Sequence, residues 1–445
     1  MGTMPIGRLL AKIAVPIMLS MLVQALYNVV DSIYVSRLGE DALNAVSLAF
    51  PLQNLMIGTG AGTAIGMNAL LSRSLGAKRQ SDLEQGAGMG VFLIFVNAVL
   101  FAVIGYLLSE PFYRIQTSDA EIIAYGTAYC RICLMCSLGL FTQFCFERML
   151  QSTGKTVLSM LTQMIGAVIN IILDPIFIFG WLGMPAMGVA GAAVATVIGQ
   201  CVAGLVALVI NLKKNPEIPI RRKEIRWNGR IAKEIYRVGS PTIVMQSTNS
   251  LMIFSMNLIL ISFTQTATAV FGAYFKLQSF IFMPTVGLNN GMVPILSYNY
   301  GARKADRVRK TVFTTMLVAI TFMTSGMLVF ELFPGFLLSF FDPSPAMLAI
   351  GVPAIRRLAL AFPLAAFCII SGSTCQSIGK PIHSLISSLC RQLVVLLPAA
   401  WLLAQTGRLE LVWFSFPIAA FACVIMNIFF VRYALRIANE RMKQD

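Results

Sequence analysis

The chain has 445 residues with a mean hydropathy of +0.77, 57% hydrophobic and 12% charged residues, and a formal net charge of +15. A soluble domain of this length needs far more charge to cover its surface, so the composition excludes ordinary globular enzymes and binding modules. Nine cysteines and a single histidine are a poor stock for disulfide or metal chemistry.

Twelve helices are predicted in chain order, at roughly 9–36, 47–73, 87–109, 119–146, 157–180 and 187–211, then 234–262, 272–299, 311–333, 346–373, 382–405 and 411–435. Mostly apolar runs such as 91–108, 158–179 and 312–330 approach the ~20 residues that cross ~30 Å of hydrocarbon. The first apolar stretch continues as a full span, so no cleavable signal peptide is expected. Cys130, Cys133, Cys136 and Cys145 lie in the fourth span. Small apolar packing residues are the expected reading of Cys130-x-x-Cys133, with redox or metal chemistry the alternative.

The sequence repeats at an offset of 225. Pro16 falls on Pro241, Phe50 on Phe275, Leu52-Gln53 on Leu277-Gln278, and Arg131 on Arg356. The motif "LGAKR" (75–79) falls on "YGARK" (300–304), and "QSTGK" (151–155) on "QSIGK" (376–380). Six spans return the chain to its starting side, so the repeats are parallel, and a duplication in so apolar a chain is the signature of a secondary transporter. The expected domains are an N-terminal six-helix lobe at 1–212, a cytoplasmic basic linker at 213–233, and a C-terminal six-helix lobe at 234–445. The fold class is thus an all-α polytopic membrane protein, with twelve transmembrane helices in two parallel six-helix repeats forming a two-lobed, V-shaped cleft.

With the N-terminus inside, 26 of the 34 Lys and Arg residues fall in inner loops, and only Arg37, Arg114 and Arg408 fall outside. This bias places both termini and the linker in the cytoplasm. It also accounts for the positive net charge through an anionic leaflet, without nucleic acid.

An ionisable group inside a span is costly and marks function by default. Among the acids, only Asp31 and Asp174 fall well inside predicted spans, and the positions 225 later are Met256 and Ala399. One cation or proton site in the N-terminal lobe is therefore expected. Gln24 and Tyr27 share a helical face with Asp31, and Asn170 shares one with Asp174. Pro175 leaves the carbonyl of Ile171 without its helical donor and is expected to bend the helix. Thr196, in the small-residue helix "GVAGAAVATVIG", offers a hydroxyl. The alternatives are a solvated Asp31 near a helix end and an Asp174 that caps its helix.

Lys276 stands where the first repeat has Pro51, either reaching to the outer surface or lining the cleft. Arg131 and Arg356 are expected to share an architectural role, and Arg391 and His383 to be interfacial. Gln53, Met252, Met256, Phe280 and Met283 complete the candidate substrate wall, whose flexible and aromatic side chains suit varied apolar cargo. There is no phosphate-binding glycine loop, metal pattern or nucleophile elbow, so no enzymatic activity is expected.

"NVVDSIYVSRLGEDALNAVSLAFP" (28–51), "LGAKR", "QSTGKT", "NIILDPIFI" and "GVAGAAVAT", in this order, resemble the multidrug and toxic compound extrusion (MATE) family over essentially the whole chain. The resemblance is nearest to the bacterial branch with an acidic site in the N-terminal lobe. It implies that Tyr27, Asp31, Asn170, Asp174 and Thr196 are the family's coupling residues. The other bacterial branch carries acids on helices 7 and 10, and this sequence has none there. The resemblance implies a multi-pass protein of the cell membrane that exports amphipathic organic cations against H⁺ or Na⁺ by alternating access. No cofactor is expected, and no metal beyond Na⁺ at Asp31 and Asp174. The partners are small organic molecules and the bilayer, with the protein acting as a monomer. A flippase for lipid-linked saccharides or cell-wall precursors is the alternative on this scaffold; such relatives carry more helices and a strongly basic cavity.

Overall fold

The computed structural model describes residues 2–341 and 343–443, which are helical and contain no strand. The first repeat comprises α1 (Ile6–Ser36), α2 (Glu40–Gly76), α3 (Gln80–Gln116), α4 (Ala120–Met135), α5 (Leu138–Ser152), α6 (Thr156–Phe179) and α7 (Val189–Lys214). The second opens with α8 (Gly229–Ile261), α9 (Gln265–Gly301), α10 (Ala305–Leu332), α11 (Pro334–Ser339) and α12 (Pro345–Ala359). It closes with α13 (Phe362–Ser377), α14 (Pro381–Leu389), α15 (Leu397–Ala404), α16 (Leu409–Val412) and α17 (Ser415–Lys443).

Ten described segments are long and apolar enough to cross a membrane. Two bent pairs, α4 with α5 (44°) and α12 with α13 (43°), bring the number to twelve if each is one span. The fourth and tenth spans, expected to be continuous, are thus broken, near 136 in one repeat and 361 in the other. These positions are repeat mates, so the break belongs to the duplicated plan. α2, α3 and α9 each run to 37 residues, well past the expected spans. Large apolar side chains such as Val99 and Tyr106 on α3 and Phe313 on α10 stand exposed, as contact with lipid requires.

The repeat motifs are turn devices. Gly154 and Gly379 take positive φ (80° and 86°) at the ends of "QSTG" and "QSIG", a conformation that suits glycine. The glutamine of each motif then reaches the following helix: Gln151 donates to Ser159 at 2.9 Å and Gln376 to Ser384 at 3.0 Å. Arg131 and Arg356 tie helices at equivalent places, the first to Glu110 at 3.5 Å and the second to the carbonyl of Glu331 at 3.1 Å. Both contacts fit the expected architectural role.

The protein divides into two compact units. The N-terminal unit is Leu19–Ile243, and the C-terminal unit is Met1–Met18 with Val244–Asp445. The boundaries therefore fall inside α1 and α8 rather than at 212 and 234. Close glycine packing explains why each first half-helix joins the unit it does. In the N-terminal unit, a Cβ at Gly66 of α2 would strike the carbonyl of Ile235, and one at Gly62 would meet the carbonyl of Gly239. In the C-terminal unit, a Cβ at Gly291 of α9 would meet Ala14, and one at Gly287 would meet Met18. Gly62-x-x-x-Gly66 and Gly287-x-x-x-Gly291 are repeat mates, and such small-residue pairs let helix backbones touch. Ion pairs hold the linker region to the N-terminal unit: Lys155–Glu217 (2.7 Å), Arg221–Glu84 (3.1 Å), Arg230–Asp82 (2.6 Å) and Arg73–Glu234 (3.0 Å). In the C-terminal unit, Lys304 and Arg307 donate to the carbonyls of Gly2 and Met4.

Candidate functional site

The acids expected to matter both lie in the N-terminal unit, on α1 and α6. Asp174 is fully buried, five residues before the end of α6, and so caps nothing. Asp31 is half-buried, but its Oδ1 is sealed from solvent. The two carboxylates lie close enough to interact electrostatically. Pro175 stays inside the helix, which continues to Phe179, and it supplies no N–H to the carbonyl of Ile171.

Asn170 is the hub. Its Nδ2 donates to Asp174 Oδ1 at 3.4 Å and to Thr196 Oγ1 on α7 at 3.2 Å. α6 and α7 can bring these side chains together because glycines meet there: a Cβ at Gly199 would crowd the Gly166 carbonyl and the Asn170 side chain. On α1, Gln24 accepts from Gln163 of α6 at 2.8 Å, and Tyr27 is hydrogen-bonded to Gln24 and feels the charges of both acids. Gln24, Tyr27, Gln143, Gln163, Asn170 and Thr196 line a cavity of ≈ 70 Å³ within this unit. Asp31 and Asp174 each stand one helical turn beyond a lining residue. Asp31 Oδ1, Asn170 Oδ1 and Asp174 Oδ2 are buried and have no hydrogen-bond partner in the protein. Three such acceptors in one cluster are three groups that a proton or a metal cation would satisfy.

A third buried acid escaped the sequence reading. Glu147 is 5% exposed, in α5, and accepts from Gln143 at 3.0 Å and Thr162 at 3.4 Å. Its neighbour Arg148, counted above among the inner loops, is also buried and donates to Gln151 at 2.9 Å. The signal was present, since "QFCFERML" carries two charges in an apolar run. The predicted helix end at 146 put both outside the span, whereas α5 continues to Ser152. The expectation that Asp31 and Asp174 are the only buried acids is therefore corrected.

The candidate substrate residues scatter. Met252 and Met283 line a cavity of ≈ 320 Å³ in the C-terminal unit. Met256 is completely buried, Phe280 is half-buried off that cavity, and Lys276 is exposed and does not line it. Gln53, in the N-terminal unit, donates to the Tyr129 hydroxyl at 3.1 Å. Arg391, expected at an interface, lines the C-terminal cavity. His383 packs edge-on against Phe430, ring centroids 4.8 Å apart. Cys130 and Cys133 are buried free thiols, as expected of packing residues, and no described group of His, Cys, Asp and Glu is arranged to hold a metal ion.

A profile of the MatE family matches residues 16–176 and 241–402, one match in each repeat. The probable multidrug resistance protein YoeA of Bacillus subtilis (strain 168) is 27% identical over 437 residues, 95% of this chain and 93% of its own length. The multidrug export protein MepA of Staphylococcus saprophyticus is 26% identical over 318 residues, 71% of this chain and 70% of its own. A multidrug resistance MATE family transporter of the MOP superfamily, solved in an outward-facing conformation, superposes with a TM-score of 0.91 at 25% identity. That match covers 97% of this chain and 96% of the other.

Proposed function

The chain belongs to the MatE family of multidrug efflux transporters, and from that premise we propose that it is an antiporter exchanging amphipathic, cationic organic compounds for H⁺ or Na⁺. The coupling ion binds among Asp31, Asn170, Asp174 and Thr196, with Tyr27 and Gln24 beside it. One observation carries this reading: three buried acceptor oxygens in that cluster lack a donor within the protein. An arriving proton or cation satisfies them, and a cationic drug competes for the same negative charge. By linkage each then weakens the other's binding by one common factor, which is the basis of antiport. The protein works as a monomer in the cell membrane, with both termini and the basic linker in the cytoplasm.

The test is exchange in proteoliposomes, with an ethidium gradient set against a pH gradient in one arm and a Na⁺ gradient in the other. Acceleration by one gradient in the wild type, and its loss in Asp31→Asn, is expected. Ethidium flux indifferent to both gradients overturns the antiport reading.

A further inference from the structure

The cavity beside the acid cluster and the larger cavity of the C-terminal unit are repeat mates, and they have diverged in charge. Shifted by 225, Gln24 falls on Asn249, Tyr27 on Met252, Ile57 on Phe282, Gly166 on Arg391 and Ala167 on Gln392, and all ten of these residues line their respective cavities. In the N-terminal unit the glycine contact between α6 and α7 keeps the space to ≈ 70 Å³. In the C-terminal unit, Arg391 and Val424 replace Gly166 and Gly199, and the space grows to ≈ 320 Å³, within the range of pockets for drug-sized ligands.

The backbone changes at the same place. Between α14 and α15, residues Cys390–Leu396 form a π-helical stretch, whereas the equivalent part of α6 is regular. Pro398 contributes to this, because it has no N–H for the carbonyl of Val394 and the ladder slips by one residue. Such π-turns are frequent at functional sites. Here the turn carries Arg391 and Gln392 into the cavity.

The positive charge in this cavity has no acidic partner among the described residues. Arg391 has no carboxylate partner and no side-chain hydrogen bond among the described residues, and no Asp or Glu lines the cavity. The neighbouring Ser387, Cys423 and Asn427 bond to one another at 2.8–3.2 Å. Gln392 is 7% exposed, and the Oε1 atoms of Gln392 and Gln278 are buried acceptors with no donor among the described residues, open to an N–H or O–H group of a ligand. Gln278 is the mate of Gln53, whose partner Tyr129 is replaced by Ala354 in the second repeat. Around these groups stand Phe275, Phe282, Phe362 and Phe416.

We propose that this cavity in the C-terminal unit binds a planar aromatic compound bearing an anionic group, a carboxylate or phosphate. Arg391 takes the anion through paired N–H donors, the Gln278 and Gln392 amides bond its polar edges, and the phenylalanines cover the ring. The site goes beyond the export of cations, because it has the opposite polarity from the acid cluster and sits in the other unit.

The test uses purified protein in phosphatidylcholine nanodiscs and equilibrium dialysis with two probes of one shape, anthracene-9-carboxylate and the neutral 9-anthracenemethanol. The wild type is expected to bind the carboxylate at least about tenfold more tightly, as a charge-assisted hydrogen bond would give. Arg391→Gln should remove that preference while leaving affinity for the neutral probe within about twofold. Gln278→Leu, which leaves the π-turn untouched, should weaken both probes and serves if Arg391→Gln does not fold. Equal binding of the two probes by the wild type overturns the proposal, as does an anion preference that survives Arg391→Gln. Displacement of the carboxylate by phosphatidylglycerol in the nanodisc also overturns it, assigning the site to a lipid headgroup instead.

Discussion

Asp174→Asn separates coupling from folding. In the wild type, Asp174 Oδ1 takes the Asn170 amide at 3.4 Å while Asp174 Oδ2 and Asn170 Oδ1 have no donor. An asparagine keeps an acceptor for Asn170 and brings two N–H donors to the place where acceptors go unpaired. Satisfying one buried acceptor is worth about 1–3 kcal/mol. It also removes a carboxylate from a fully buried position. The ion-free variant should therefore melt above the ion-free wild type in a thermal-shift assay in detergent. Ligand linkage gives a second readout. At an ion concentration 100-fold above Kd the wild type gains about 2.7 kcal/mol, and the variant should gain much less. In proteoliposomes, each tenfold ion gradient supports about tenfold substrate accumulation per ion exchanged at 1.4 kcal/mol per decade. The variant's accumulation should be nearly independent of the gradient. A variant that melts lower than the wild type, is stabilised by the ion to the same degree, and still accumulates substrate with the gradient would refute the coupling site and the acceptor argument together.

Single cysteines placed in the exposed part of the 213–237 linker of a cysteine-free protein should be labelled by an impermeant maleimide only in inside-out vesicles; labelling in intact cells removes the topology. Gly66→Leu and its repeat mate Gly291→Leu should each abolish the monodisperse folded protein in size-exclusion chromatography, because their Cβ atoms meet the Ile235 carbonyl and Ala14 respectively, whereas Gly335→Leu, with open space at its Cβ, should behave as wild type. Glu147→Leu leaves the half-buried Gln143 amide without its acceptor, while Thr162 keeps the Ser159 carbonyl at 2.7 Å, and should lower stability by about 1–3 kcal/mol in a thermal melt; Glu147→Gln keeps the acceptor and should lie close to wild type.

Much of the fold was legible because it depends on long-range regularities. Apolar length, the 225-residue offset and loop charge are sums over many residues, and no single position can spoil them. The exchange of half-helices between units was not legible, although its cause was in plain view. Gly62-x-x-x-Gly66 and Gly287-x-x-x-Gly291 announce close helix packing, but nothing in the spacing says which helix arrives. Glu147 was missed for a local reason: a boundary error of a few residues turns a buried acid into a loop acid, and helix ends are what periodicity defines least well.

Arg391 shows the sharper limit. Repeat alignment pairs it with Gly166, and a regular helix in both repeats would make the pair a simple exchange of small for large at a packed contact. That exchange would be ruinous, since the first repeat has no room for a Cβ at Gly166. The second repeat accepts the arginine because its helix is not regular there: residues Cys390–Leu396 form the π-turn, and Val424 stands in place of Gly199, whose close contact with Gly166 seals the first repeat. A period of 3.6 cannot detect a single inserted residue, so the sequence placed Arg391 near an interface. The same slip that hides the site from the sequence is what creates it. The consequence is physical: Gly166→Arg in the first repeat, without a π-turn to receive it, should destroy the α6–α7 contact rather than create a second anion pocket.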